Sequence, residues 1–510
     1  MEIATSTLIR EIDAYLENVL GIPTKTLMRR AGQAVKDCVL KVNKSPTLVL
    51  ILAGGGNNGG DGYAAALELY PEVNVRTVDL FSRGQRSEAG KYYLSECEKL
   101  GVVERGFESA YSLIDKADVI VDAIFGIGYA GELSEELVAL SSAITSLEKQ
   151  VVSVDIPLGV NADTGEVSLG VLRAEATAAL CRYKCAHISY PARDYMGKAY
   201  LYDIGIDDKM PKIPKSDKYF AADKEFAMVN LPKRKANSNK GTYGHTLHIT
   251  GSDKYVGASM LSLEASLRSG VGLVTHLGEY ALGRELCARF PEVIYSDLSL
   301  LKSPSDIVEY SRGFSSILIG PGSTVNSNVW LIIKSLVESE GAPIIIDADG
   351  LNSIAEYSSA ELFKSARRTV IITPHPREMS RLSGKSVEYI NSHRISFSEA
   401  FAREYGVILL LKGAGTVVTD GEKTVINTSG SSALSKGGSG DVLSGIIASL
   451  IIGADTPLFA VALAAYLHGR AADTLKEELS ELGVTPSDLP KAVAGEISAI
   501  IKSQKNNRNL

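Results

Sequence analysis

The chain carries two successive blocks in which short, uninterrupted apolar runs alternate with longer amphipathic stretches, and that restricts it to one broad class of fold. In the first block the runs are residues 48–52, 73–80, 119–123 and 151–154, with a fifth at 199–203. Each of the first four is apolar at successive positions and closed by Gly, Asp or Pro, the pattern of buried parallel strands covered by helices. Residues 6–20 and 24–39 space their apolar side chains as helices do. A doubly wound α/β domain is expected. The second block restarts the alternation with runs at 247–250, 273–277, 316–319, 343–347, 369–373, 407–412 and 416–419, parted by helical stretches such as 258–269 and 442–452. Its close pair at 409–412 and 416–419, followed by Asp420-Gly421 and by 424–427, predicts an antiparallel meander with a tight turn.

Length supports the same division, since 510 residues exceed what one core organises. Two domains are expected, 1–208 and 219–510, joined by a linker at 207–218 that is rich in Lys and Pro and lacks apolar periodicity. A net charge of -7 argues against nucleic acid as a partner. The run Lys233-Arg234-Lys235 reads as a solvated loop. No apolar run reaches the roughly 18 residues needed to cross a bilayer, so no membrane partner is expected. Five cysteines without a paired framework suggest a reducing compartment, and a cytoplasmic protein is expected. Cys181 and Cys185 lack a second Cys/His pair and do not read as a metal site.

Three loops of the first block fall at the C-terminal ends of expected strands, where open α/β sheets bind ligands. They are Gly54-Gly55-Gly56-Asn57-Asn58-Gly59-Gly60-Asp61-Gly62, Asp122-Ala123-Ile124-Phe125-Gly126-Ile127-Gly128, and the segment from Asp155 through Pro157-Leu158-Gly159 to Gly165. The first opens a helical stretch at Tyr63–Tyr70, so glycines and a helix N-terminus would together form an anion cradle. Asn57, Asn58 and Asp61 add polarity that generic fingerprints lack, and the spacing is not that of an ordinary dinucleotide-binding motif. In the second block, Lys436-Gly437-Gly438-Ser439-Gly440-Asp441 runs into a helix. A glycine nest for phosphoryl oxygens, ended by a carboxylate that can accept a hydroxyl proton, is phosphoryl-transfer machinery. Lys412-Gly413-Ala414-Gly415-Thr416 offers a second nucleotide contact at a strand end. Plain strand termination and helix capping remain the bland alternatives for each loop taken singly.

GGGNNGGDG, DAIFGIG and VDIPLGVNADTG, with 10–13 and 27–32 upstream, resemble the NAD(P)H-hydrate epimerase family. KGTYGHTLHITGS, YVGA, SGVGLV, GPG, DADGLN, TPHPRE and GGSGD, in that order, resemble the ADP/ATP-dependent NAD(P)H-hydrate dehydratases, relatives of ribokinase-like kinases. Nearly the whole chain is covered, in the order of the bifunctional repair enzymes. The resemblance implies a Rossmann-like N-terminal domain followed by a ribokinase-like α/β domain, whose meander the second block also predicts. It implies epimerisation of the R and S hydrates of NAD(P)H and dehydration of the S form at the expense of ADP or ATP. NADHX and NADPHX would be the small-molecule substrates, with Mg²⁺ and an epimerase-site K⁺ as cofactors and a homo-oligomer as the assembly.

Carried over by residue, Asn57, Asn58, Gly59, Gly60, Asp61, Gly126, Ile127, Gly128, Tyr129, Ala130, Gly131, Glu132 and Asp155 would bind the epimerase substrate, with Asp155 catalytic. Potassium would sit at Asn58, Asp122 and Leu158. The family usually has Ser at position 158, so either a backbone carbonyl substitutes or the ion binds weakly. In the second domain Ala258, Gly322, His375 and Asp441 would contact the hydrate, with Asp441 catalytic. The nucleotide would lie on Lys412 to Thr416 and on Ser431, Ser432, Ala433, Leu434, Ser435, Lys436, Gly437, Gly438, Ser439 and Gly440. Two further departures stand out: Arg377 replaces a frequent Gly, and Gly430 to Lys436 replaces GNPGMAT, so Lys436 is either a charge beside the transferred phosphate or solvated. His375 has a competing reading as a structural strand-end residue, and His245 and His248 carry no assignment. The rival readings are a small-molecule kinase of the ribokinase-like group and a nucleotide-sensing or scaffold role for the N-terminal domain.

Overall fold

The computed structural model describes residues 1–81, 86–205 and 213–506. The chain divides into two compact units, Glu2–Tyr219 and Phe220–Leu510 with Met1. Of the expected linker, 207–212 lie outside the described residues.

The first unit is built on a seven-stranded sheet. Its strands are β1 (Leu48–Ala53), β2 (Asn74–Asp79), β3 (Val103–Arg105), β4 (Val119–Ala123), β5 (Gln150–Val154), β6 (Ala176–Leu180) and β7 (Lys198–Tyr202). Their order is 3-2-1-4-5-6-7 and every pairing is parallel, a Rossmann-like doubly wound sheet. β1 shows why its sequence is apolar throughout. Val49, Ile51 and Ala53 pack into the layer under α1 (Ser6–Asn18) and α2 (Thr24–Val42), while Leu50 and Leu52 enter the opposite layer, all fully buried. Burying each such aliphatic side chain contributes about 1.5–3 kcal/mol.

The expected strands fall within two residues of those observed. β3 and β6 were not foreseen. β6 reads Ala-Thr-Ala-Ala-Leu, poor in the residues that favour strands, yet all five positions are buried. Small side chains there let α2 pack closely, so tertiary context outweighs propensity.

The glycine-rich segment also differs from expectation. α3 runs from Asn57 to Leu69, so the helix starts six residues before Tyr63. Its glycines serve packing: a Cβ on Gly59 would lie 2.0 Å from the Gly54 carbonyl oxygen, and one on Gly54 would lie 1.9 Å from that of Ile124. Close approach of backbone to backbone offsets the roughly 1 kcal/mol that each helical glycine costs.

The second unit holds a ten-stranded sheet. Its strands are β8 (Tyr219–Ala222), β9 (His245–Ile249), β10 (Leu273–Gly278), β11 (Val293–Asp297), β12 (Ser316–Ile319), β13 (Ile344–Ile346), β14 (Val370–Ile372), β15 (Ile408–Leu411), β16 (Val417–Thr419) and β17 (Thr424–Asn427). The order is 11-10-9-12-13-14-15-16-17-8. Pairings from β11 to β15 are parallel, and β15, β16 and β17 form the expected antiparallel meander. β8 and β11, each with polar or half-exposed positions, escaped the sequence reading. Among the described residues no helix is long and apolar enough to cross a membrane.

Candidate functional site

In the first unit the C-terminal strand ends, α1 and α2 enclose a cavity of about 1500 Å³. Asn57, Asn58, Asp61, Gly126, Ile127, Gly128, Tyr129, Ala130, Glu132 and Asp155 line it, as do Arg10, Asp13 and Lys184. Gly59, Gly60, Gly131, Asp122 and Leu158 do not. The N–H groups of Asn57, Asn58 and Gly59, in the first turn of α3, have no intrahelical acceptor and give this wall an excess of donors.

Asp155 follows β5 with φ +62°, a left-handed conformation that costs a non-glycine residue about 1–2 kcal/mol. A web of hydrogen bonds holds it there. Its Oδ1 accepts from Lys184 Nζ at 2.5 Å and from the Leu180 N–H at 3.0 Å, while its carbonyl oxygen lies 2.9 Å from His187 Nε2. Oδ2 accepts no bond from the described residues. Lys184 is fully buried and also donates to the Leu180 carbonyl at 2.8 Å. Burial pushes the His187 imidazole down to about 4, so the ring is neutral behind the pair. Burial also pushes Asp13 up to about 6 and Asp61 well above the usual carboxylate range, with Asp155 adding like charge to both and Lys184 opposing.

Asp122 lies beneath this surface. Its Oδ2 accepts from the Leu158 N–H at 2.7 Å and Ser153 Oγ at 3.0 Å, and its Oδ1 from the Ile124 N–H at 3.3 Å. Burial, outweighing these bonds, pushes it up to about 6. Leu158 is fully buried in the apolar layer, its carbonyl accepting from the Leu172 N–H at 2.9 Å. Asn58 Nδ2 donates to the Phe125 carbonyl at 2.8 Å, leaving Oδ1 against Gly126. Cys181 lines the cavity wall and Cys185 is buried.

The second unit gathers its charged groups around Asp441, in the first turn of the helix Ser439–Leu450. Lys412 Nζ, at the end of β15, donates to Asp347 Oδ1 at 2.7 Å and lies 3.9 Å from Glu378 Oε2. Ser444 Oγ donates to the other oxygen of Asp347. A Cβ on Gly440 would lie 3.3 Å from Lys412 Nζ, so the glycine turn closes directly over the lysine. Burial, reinforced by Asp347 and opposed by Lys412, pushes Asp441 up to about 7.

Ala258, on the helix Val256–Arg268, abuts Gly322: a Cβ on Gly322 would fall 2.8 Å from that of Ala258. His375 caps the helix Pro376–Ser383, its Nδ1 accepting from the N–H groups of Arg377 and Glu378 at 3.1 and 3.2 Å. Thr416 Oγ1 donates to the Gly413 carbonyl at 2.9 Å, and buried Arg394 donates to the carbonyls of Leu411 and Lys412 at 3.0 and 3.2 Å, fixing that loop. Of the segment from Ser431 to Ser435, Ser432–Leu434 form a short turn tied to Glu481. Lys436, half-buried, is tied to the end of the long helix Pro457–Gly483. Its Nζ donates to the carbonyls of Leu482 and Val484.

Asp13, Lys184, Asp347, Glu378, Ser444 and Arg394 were given no role from sequence. Asp13, Asp347 and Glu378 lay inside quoted motifs, which was a usable signal. Lys184 and Arg394 carried none, because their burial is invisible in a linear pattern.

Two family models match, one described as NAD(P)H-hydrate dehydratase over residues 246–494 and one as YjeF-related protein N-terminus over residues 24–186. Among whole-length relatives, the bifunctional NAD(P)H-hydrate repair enzyme Nnr of Thermofilum pendens is 30% identical, covering 97% of this chain and 96% of its own. Two solved structures resemble the second unit. ADP/ATP-dependent NAD(P)H-hydrate dehydratase from Bacillus subtilis, co-crystallized with ATP/Mg²⁺, is 27% identical with TM-score 0.50, covering 57% of this chain and 100% of that one. A ribokinase-like superfamily protein from Enterococcus faecalis, 24% identical with TM-score 0.50 over 56% of this chain and 97% of its own, shares the fold.

Proposed function

The chain belongs to the bifunctional NAD(P)H-hydrate repair enzymes, and from that premise we propose that residues 1–208 carry the epimerase and residues 219–510 the dehydratase. The protein repairs hydrated nicotinamide cofactors: it interconverts the R and S hydrates of NAD(P)H and dehydrates the S form at the expense of ADP or ATP.

The reading of the second unit rests on Asp441. A carboxylate pushed up to about 7 is poised to accept a proton near neutral pH. It takes the proton of the C6 hydroxyl as that oxygen attacks the terminal phosphoryl group of the nucleotide. The resulting phosphate ester leaves as phosphate, driven by the ring nitrogen's electron pair, and loss of a C5 proton restores the dihydropyridine. Lys412, fixed by Asp347, supplies a permanent positive charge under the glycine turn. The nucleotide lies along Lys412 to Thr416 and Ser431 to Gly440, and the hydrate against Ala258, Gly322 and His375. Magnesium would arrive with the nucleotide and neutralise its phosphates; among the described residues no cluster of three His, Cys, Asp or Glu would hold a metal.

In the first unit the dinucleotide hydrate occupies the cavity between the Asn57–Asp61 and Gly126–Glu132 segments, with Asp155 as acid/base catalyst. Potassium, which would supply positive charge beside the Gly126 turn, has Asn58 Oδ1 and the Asp122 carboxylate as donors. Leu158 offers only a carbonyl already bonded to Leu172, so the ion binds weakly. Four buried free cysteines and one exposed suit a reducing compartment, and the cytoplasm is the location we propose.

The test is recovery of the NADH absorbance band from a mixed-epimer NADH hydrate with ADP or ATP and Mg²⁺. Wild type should restore the band completely, Asp441→Asn should restore none, and Asp155→Asn should stop at the S fraction until spontaneous epimerisation supplies more. Failure with both nucleotides, or accumulation of a stable phosphoester, would sink this reading in favour of a small-molecule kinase.

A further inference from the structure

One lysine faces three carboxylates in the first unit's cavity. Asp13 comes from α1, Asp61 from α3, Asp155 from the end of β5 and Lys184 from the turn after β6. Lys184 is spoken for, because its ammonium is fixed on Asp155 Oδ1 and the Leu180 carbonyl. Asp61 and Asp13 accept no side-chain hydrogen bond from the described residues. Resting on the epimerase reading above, we propose that Asp61 and Asp155 form the proton donor and acceptor of epimerisation, with Lys184 as the positioning residue that keeps Asp155 the acceptor.

The physical asymmetry is one of environment. Asp155 is ion-paired to Lys184 and accepts from the Leu180 N–H, which fix its carboxylate in place. Asp61, half-buried in the cavity wall, has two carboxylates near it and no hydrogen-bonded cation of its own, and desolvation, reinforced by Asp155 and Asp13, pushes it well above the usual carboxylate range. Two carboxyl groups in such unlike surroundings within one cavity are the ordinary assignment of base and acid.

The chemistry closes without a co-reactant. C6 of the hydrate carries the hydroxyl and is bonded to N1, so it is a hemiaminal carbon. Asp155 takes the hydroxyl proton, the C6–O bond becomes a carbonyl, and the C6–N1 bond breaks with its electron pair moving to N1. That pair is delocalised through C2=C3 into the carboxamide, and Asp61 gives N1 a proton. Rotation about C5–C6 turns the other face of the aldehyde to N1. Re-addition returns the N1 proton to Asp61 while Asp155 returns its proton to the oxygen, leaving the opposite epimer and the enzyme unchanged.

The groups facing Asp61 are Asp13 from α1, Tyr93 from the helix Glu88–Lys99, Asp155 and Lys184, with Arg10 and Glu17 further along α1. α2 contributes Thr24, Leu27, Met28 and Ala31 to the same wall, none of them titratable.

The experiment follows conversion of purified R hydrate to S hydrate by the whole chain across pH, with no nucleotide present. Dehydratase activity on the S hydrate serves as the internal measure of intact chain. Asp61→Asn should lower kcat by about 100-fold and abolish the alkaline fall that marks loss of the Asp61 proton. Its unfolding temperature should be no lower than wild type, since a buried acid has been removed. Lys184→Gln should lower kcat per intact chain by about 10-fold with KM little changed, because Asp155 loses the group that fixes its carboxylate; a lysine needed only for folding would lower the amount of active enzyme and leave kcat per intact chain in place. Asp61→Asn activity within about threefold of wild type, or an unchanged alkaline limb, overturns the proposal. Absence of any epimerisation by wild type would instead overturn the epimerase reading itself.

Discussion

Asp441→Asn should stabilise the second unit as it abolishes dehydration. The carboxyl is pushed from 3.8 to about 7 by burial first, then by Asp347, against the opposing pull of Lys412. A rise from 3.8 to about 7 corresponds to about 4 kcal/mol. The folded form therefore holds its proton more tightly than the unfolded chain, so this group's stability contribution is present below the unfolded value and is lost as pH rises through the folded one. Asparagine has no such loss. The variant should match wild type near about pH 3 and exceed it by about 4 kcal/mol near about pH 8. Between about pH 5 and about pH 8 the gap should widen by about 2.5 kcal/mol, or about 4 °C in the unfolding temperature of a unit this large. Thermal unfolding followed by calorimetry at the two pH values, with the first unit's transition as reference, measures it. Equal stability at both, or a variant that loses ground as pH rises, would refute the assignment of Asp441 as a buried, destabilised acid.

Other consequences can be checked separately. Gly59→Ala drives a methyl into the Gly54 carbonyl and should cost the first unit about 2–4 kcal/mol, read by urea unfolding, whereas Gly56→Ala, with nothing within 4 Å, should stay within about 0.5 kcal/mol. Leu158→Ser exchanges a buried aliphatic side chain for an oxygen. It should lower the potassium concentration for half-maximal epimerisation while costing about 2–4 kcal/mol of stability in potassium-free buffer, and an unaltered potassium response would exclude position 158 from the ion's surroundings. Lys436→Met removes two bonds to the carbonyls of Leu482 and Val484, so amide exchange should accelerate at 430–436 and 480–484 together; unchanged protection in either would show that the tie is not made in solution.

The sequence disclosed most of the strands because parallel strands buried on both faces are apolar at every position, as in Leu48–Ala53 and Ile344–Ile346. It concealed β6 because three of its five residues are alanine, which does not announce a strand, and β11 because all but its first side chain are at least partly open to solvent. Glycine clusters marked the candidate sites but did not reveal what several members do for the fold. Gly54 and Gly59 are needed for contacts of chain with chain, a requirement that appears only when Ile124 is brought across from β4. Acidic residues at strand ends were legible as candidates. The protonation of Asp441 was not, because it depends on what folding brings near it, Asp347 and Lys412.

Asp61 and Asp441 share a contradiction that points to their use. Asp441 stands in the first turn, and Asp61 just past the first turn, of a helix that follows a glycine turn, where the helix dipole favours a negative charge, by about 0.3–2 kcal/mol within that turn. Each is nevertheless shifted the other way, Asp441 by an amount worth about 4 kcal/mol. Desolvation and neighbouring carboxylates must therefore outweigh the dipole by more than that net figure. A chain selected for stability alone would remove the cost with Asn, which caps and hydrogen-bonds as well in such a turn. Keeping a carboxyl that is uncomfortable when charged makes sense where a proton has to be held and then passed on, which is what opening a hemiaminal and activating a C6 hydroxyl both demand.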